Sequence, residues 1–183
     1  MRYKSKKGKH WYSPIWKRII NYLPSAEEQF FYELSLDNSC WYDEDEFGLI
    51  HTNKICGIQL GREKHNNTVR IGWRPTTRKG QKMFALCLYY YERGKRNWVD
   101  LVKLYPNQKA EIIMWLDDAP IVDALMDKDY SFCVNVKAKV GNYEAERTVL
   151  FRDEKPNWIW HHNPYFGGLT PALNEHIIEL KSI

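Results

Sequence analysis

From about residue 30 onward, hydrophobic residues recur at every second position, the spacing that turns one side of an extended strand toward a core and the other toward solvent. Tyr32, Leu34 and Leu36 alternate with Glu33, Ser35 and Asp37, and Cys56, Ile58 and Leu60 repeat the pattern. Val69, Ile71 and Trp73 then alternate with Arg70, Gly72 and Arg74. The run from Met83 to Tyr91 is apolar on both parities, as expected of a central strand covered on both sides. Trp98 to Leu104, Ala110 to Leu116, Tyr130 to Ala138, Tyr143 to Phe151 and Glu175 to Lys181 supply further strands. Turn-forming residues bound them: Gly61 with Lys64 to Asn67, Pro75 to Gly80, Gly94, Pro106-Asn107, Asp117 to Pro120, Gly141-Asn142 and Pro156-Asn157. One short helix around Ile121 to Met126, N-capped from Asp117-Asp118, is the only helical pattern in this body. Without an alternation of strands and helices a parallel sheet is disfavoured, so the expected class is all-β, an antiparallel two-sheet sandwich, with the jelly roll the commonest topology for so many strands.

Before residue 27 the pattern differs. Ile15, Ile19 and Leu23 repeat at a spacing of four, which fits a short amphipathic helix over 15–23. The same stretch carries Arg2, Lys4, Lys6, Lys7, Lys9, Lys17 and Arg18 and no acid, leaving a mildly acidic remainder. The expected organisation is a basic N-terminal arm over 1–26 and a sandwich over 27–183. Lys4, Lys6, Lys7, Lys9, Lys17 and Arg18 are then candidate partner-binding residues, for a protein assembly or for nucleic acid. The commoner arrangement for such a stretch is a helix or strand folded back onto the body; an anchor to a membrane surface, nucleic acid or a partner is the functional one.

Composition narrows the class further. The chain has 183 residues with 15% aromatics, far too rich for a disordered protein and long enough for one sizeable core. Its formal net charge of +4 is too small to mark a nucleic-acid binder by itself. Pro14, Lys17 and Arg18 interrupt any signal-peptide core, and no run reaches the length of a membrane span, so a cytoplasmic protein is expected, or a virion component if phage-encoded. Cys40, Cys56, Cys87 and Cys133 are scattered without CxxC spacing and read as reduced, core-packing thiols.

The order of elements resembles concanavalin A-like sandwiches. The residues that carry the likeness are Val69 to Arg74, the long aromatic strand, Glu111 to Leu116 and the closing Pro164-Tyr165-Phe166-Gly167-Gly168 with Pro171. More narrowly it resembles small proteins of gut bacteria and their phages that end in a PYFGG segment, although Ala172-Leu173 here follows the proline instead of preceding it. The resemblance implies a jelly roll that often binds glycans and is reused in phage particles, with no activity attached to the small members. Polysaccharide lyases and glycoside hydrolases share the fold, but neither a pair of acids flanking an aromatic nor an RxExR strand occurs here.

Candidate chemistry gathers in two places. Arg70 and Arg74 flank Gly72 on one strand face, where two guanidinium forks with a gap between them suit carboxylates or sugar hydroxyls; otherwise they are solvated and paired with acids such as Glu111. Trp158 to Phe166 is the densest aromatic and polar cluster, with Trp160, His162 and Tyr165 suited to a glycan cleft or, failing that, to plugging the sandwich end. His161 and His162 would point to opposite faces, so a zinc site would have to recruit distant His176. Asp43 to Glu46 reads as a solvated acidic loop. No metal or cofactor is expected, and no residue is assigned as catalytic. In an elimination on an acidic sugar, Arg70 or Arg74 could neutralise the carboxylate, with His162 as base and Tyr165 as acid. The leading expectation is a non-enzymatic glycan- or protein-binding sandwich, ahead of an assembly component, a lyase or hydrolase, and a nucleic-acid binder. Trp73→Ala is expected to cost about 3–5 kcal/mol and Arg70→Ala under about 1.

Overall fold

The computed structural model describes residues 2–10, 12–13, 24–25, 28–43, 52–61, 67–92, 94–118, 130–152, 155–156, 158–161 and 175–182. Within them the strands are β1 (Arg2–Ser5), β2 (Tyr12–Ser13), β3 (Pro24–Ser25), β4 (Gln29–Leu36), β5 (Asn53–Leu60), β6 (Thr68–Arg78) and β7 (Gln81–Glu92). They continue with β8 (Lys95–Leu104), β9 (Lys109–Asp118), β10 (Phe132–Val140), β11 (Tyr143–Phe151), β12 (Ile159–His161) and β13 (His176–Ser182). Two antiparallel sheets result, one in the order β11-β10-β9-β4-β13-β1-β2 and the other β3-β12-β5-β6-β7-β8. They pack face to face as a β-sandwich, with Leu34, Ile112, Val134, Val136, Phe151 and Ile178 from the first meeting Ile58, Ile71, Trp73, Phe84, Leu86 and Leu88 from the second.

The two-residue period sets which side chains enter this core. Val69, Ile71 and Trp73 are fully buried, as their alternation requires. In β7 every residue from Met83 to Tyr89 is buried, so this strand is covered on both faces. Two boundaries differ from expectation. β6 runs on through Pro75 to Arg78 because the reversal is made by Lys79 and Gly80, both at positive φ, the geometry of a tight hairpin. Pro75 is tolerated there because β5 begins at Asn53, opposite Trp73, and offers no ladder partner beyond it. Asp117 and Asp118 likewise pair with Cys133 and Phe132 as the end of β9 instead of forming a turn.

The leading stretch also departs from a free arm. Tyr3 and Ser5 are buried while Arg2 and Lys4 are exposed, so β1 is itself a period-two strand, inserted between β13 and β2. The charge count hid this alternation. Lys4 is 2.6 Å from Glu175, whereas Lys6, Lys7 and Lys9 stand on the exposed turn after β1. The expected helix over 15–23, with Lys17 and Arg18, and the one near 121–126 lie outside the described residues. No described helix is long and apolar enough to cross a membrane.

All four cysteines are buried thiols. Burial pushes the pKa of Cys40 and Cys87 up to about 12 and raises those of Cys56 and Cys133, which removes them as nucleophiles. His176 is fully buried too, its ring stacked on Tyr42 at 6.2 Å and tilted against Trp73 at 5.9 Å. Burial lowers its pKa from the usual 6.5 to about 4. The unfolded chain therefore takes up a proton that the folded one refuses, so this contribution is complete above the ordinary histidine range and is lost as pH falls through that range toward the lowered value. The expected loss is about 3 kcal/mol. Denaturant midpoints of the wild type and His176→Phe, measured from neutral pH to below the lowered pKa, should show a shallower pH slope in the variant. Equal slopes would assign the acid sensitivity elsewhere.

Candidate functional site

Directly paired residues of an antiparallel sheet face the same way. Register therefore assembles the outer face of the six-stranded sheet row by row. Trp160, Gln59, Thr68, Tyr91 and Arg96 line up across β12, β5, β6, β7 and β8. Beside them run Gly57, Arg70, Tyr89 and Trp98, and then Lys54, Gly72, Cys87 and Asp100.

At the centre of these rows two cations meet two phenols. The Tyr89 hydroxyl donates to the Tyr91 hydroxyl at 3.0 Å, the rings meeting edge-on at 5.5 Å. The Lys54 ammonium sits 4.5 Å above the Tyr89 ring. Burial raises the Tyr89 pKa, the hydrogen bond to Tyr91 adds to the rise, and the charges of Arg96 and Arg70 oppose it. Tyr89 is thus held as a neutral donor. Gly57 makes the close approach of Arg70 feasible, since a side chain there would collide with the Val69 carbonyl and the Arg70 backbone.

Arg70 was expected on a solvated face, with a small cost of truncation, yet it is only 7% exposed. Gly57 on one side and Tyr89 on the other enclose its stem, which removes the basis for a cost under about 1 kcal/mol. The opening expected above Gly72 is also filled. The Thr52 methyl, the Asn53 carbonyl and Cys87 Sγ crowd the space a Cβ would take there. Arg70 and Arg74 therefore do not share one gap. Arg74 crosses the small Ala85 and Cys87 of β7 to reach Asp100 on β8 at 2.8 Å, and its guanidinium stacks 5.5 Å from the centre of the Trp98 ring. Its acid is Asp100, not Glu111, because Glu111 lies in the other sheet opposite Glu33.

Of the aromatic cluster, Trp160 faces outward with Gln59, while His161 turns inward and meets the Phe30 ring edge-on at 4.9 Å. His162, Tyr165 and the PYFGG segment lie outside the described residues, as do residues 44–46 of the acidic loop. His176 belongs to the core, and the described residues contain no group of three or more metal-ligating side chains. The sequence pattern did not single out Lys54, Tyr89 or Tyr91. Their shared signal was there to be read: Tyr89 and Tyr91 lie two apart in the strand that pairs with the Arg70 strand.

No family model matches the chain, and comparison with curated proteins gives no match. Among solved structures the fold is similar to that of the alginate lyase vAL-1 from Chlorella virus, at TM-score 0.54 and 11% identity, over 99% of this chain and 81% of that one. It is also similar to a functionally unknown protein from Saccharomyces cerevisiae, at TM-score 0.49 and 8% identity, over 100% and 87% of the two chains. At such identities the likeness is one of architecture, the two-sheet antiparallel β-sandwich.

Proposed function

We propose that this β-sandwich binds an acidic polysaccharide across the outer face of its six-stranded sheet and cleaves it by β-elimination. The observation that carries the reading is the convergence of Lys54 and Arg70 with the hydrogen-bonded Tyr89–Tyr91 pair on that face. The fold it shares with an alginate lyase, an enzyme of an acidic polysaccharide, supports the same reading.

The chemistry follows from the charges. A uronate carboxylate set against Arg70 and Lys54 is neutralised, which makes the neighbouring C5 proton acidic and stabilises the charge that develops when it leaves. Tyr91 oxygen accepts the hydrogen bond from Tyr89, and that bond strengthens as negative charge builds on it. Tyr91 oxygen takes the C5 proton as its own hydroxyl proton passes to the departing O4, while the C5–H electron pair becomes the C4=C5 double bond and the C4–O4 bond breaks. The tyrosine ends as it began, and neither water nor an oxidant is consumed. Trp160 and Gln59 extend the face on one side as a stacking and hydrogen-bonding surface. Arg70, Trp160 and the outward strand faces thus serve the same glycan. Arg74 has another task.

Incubation with alginate, pectate, polyglucuronate and hyaluronan, followed by the ultraviolet absorbance of C4–C5 unsaturated uronate, tests the proposal. Product is expected from at least one polymer and should be lost in Arg70→Met. Saturable binding with no product from any of them would leave a non-enzymatic glycan-binding sandwich. Neither binding nor product would overturn the glycan reading altogether.

A further inference from the structure

Trp98 is 42% exposed although it projects from a strand whose outward neighbours across the sheet, Tyr89 and Arg70, are buried. Indoles left in water at such a position usually lie down on apolar surface. Here the ring is held by charge instead: Arg74 stacks against it, and Asp100, two residues further along β8, fixes Arg74 from the same face. Three strands contribute to this arrangement, and it depends on Ala85 and Cys87 being small enough for an arginine to pass over β7. The ion pair neutralises Arg74, and its guanidinium orients the indole.

We propose that Trp98 is a stacking platform for a sugar unit flanking the one held at Arg70, with Arg74 and Asp100 as the residues that position it. This rests on the acidic-polysaccharide reading of the same face and adds a direction to it. Arg70 stands on β6 and Trp98 on β8, two strand spacings apart, roughly 10 Å. That is the reach of a disaccharide laid across the strands instead of along them. The chain would then run slightly oblique to the rows, from Trp160 and Gln59 in one to Arg70, Tyr89 and Trp98 in the next, with an aromatic ring near each end of its path. Because Arg74 is already paired with Asp100, the Trp98 position reads the apolar face of a sugar and not its carboxylate.

The test uses the full chain and a polymer that the wild type cleaves, comparing long chains with short oligosaccharides. Trp98→Ala should raise KM for the long polymer roughly three- to tenfold, the worth of one aromatic stacking contact, with a much smaller change in kcat. The penalty should shrink as the substrate shortens. Trp98→Phe should recover most of the loss, and Asp100→Asn should reproduce part of it, as expected of a residue acting through the ring. Indole fluorescence of the wild type should change on titration with an oligosaccharide, and the change should be reduced in Trp98→Ala. If the wild type cleaves polymer but Trp98→Ala keeps the same KM at every chain length, the platform is refuted and the cleavage site stands. If the wild type neither binds nor cleaves any of the polymers, both fall together.

Discussion

Tyr91→Phe will reduce turnover of the acidic polymer by about 10²–10⁴-fold, the worth of a positioned proton-transfer group. The substitution removes one oxygen and leaves the ring in place, half-buried on the outer face of β7. Folding should survive, because the ring and all its carbon atoms keep their place on β7. KM should change little, since the proposed mechanism leaves the carboxylate to Arg70 and Lys54. Tyr89→Phe removes the donor instead and should cost less, because it weakens stabilisation of charge on Tyr91 without deleting the group that moves the proton. Initial rates of unsaturated-product formation, read beside denaturant midpoints, separate the two effects. Wild-type turnover in Tyr91→Phe would sink the assignment.

The second large effect is structural. Trp73→Ala should destabilise the sandwich by about 3–5 kcal/mol, a loss comparable to much of the stability of an ordinary domain. Trp73 is fully buried where the sheets meet, edge-on to Phe84 at 5.4 Å and to Tyr42 at 6.0 Å, and tilted against His176. Truncation would leave a cavity bounded by rings that cannot collapse into it, because Phe84 and His176 are pinned on paired strands. Trp73→Phe fills most of the space and should recover a large part of the loss. A denaturation curve for Trp73→Ala within 1 kcal/mol of wild type, about the cost of a surface change, would mean that the face assignment of β6 is off by one residue.

Alternation along the chain was enough to read the sandwich and the inward set Val69, Ile71 and Trp73, since burial on one face imposes a period of two that no other element mimics. The site was harder to read, for particular reasons. Counting back by twos from Leu60, Ile58 and Cys56 would put Lys54 inside. The register shifts between Lys54 and Cys56, and the extra residue, Ile55, goes into the core while Lys54 turns outward opposite Gly72. Tyr89-Tyr90-Tyr91 reads as core because all three residues are largely apolar, and nothing local tells which hydroxyls face each other. Arg70 was legible as outward, but its depth was not, since burial on an outer face depends on Gly57 and Tyr89 from two neighbouring strands. The leading strand was masked by its lysines: Tyr3 and Ser5 offer too short an alternation to compete with so strong a charge signal.

That leading strand has a bearing on how the molecule is made. β1 hydrogen-bonds to β13, with Arg2 opposite Glu179 and Ser5 opposite His176, so a pairing near one end of the described chain waits for residues near the other. Closing so long a loop is entropically costly and is among the slower events a chain undertakes. Until it happens, the seven-stranded sheet has an open edge at β13, and Tyr3 lacks the floor it packs on. Assembly of this sandwich is therefore expected to be committed late, and the interval before β1 pairs with β13 is when these edges are most exposed to other chains.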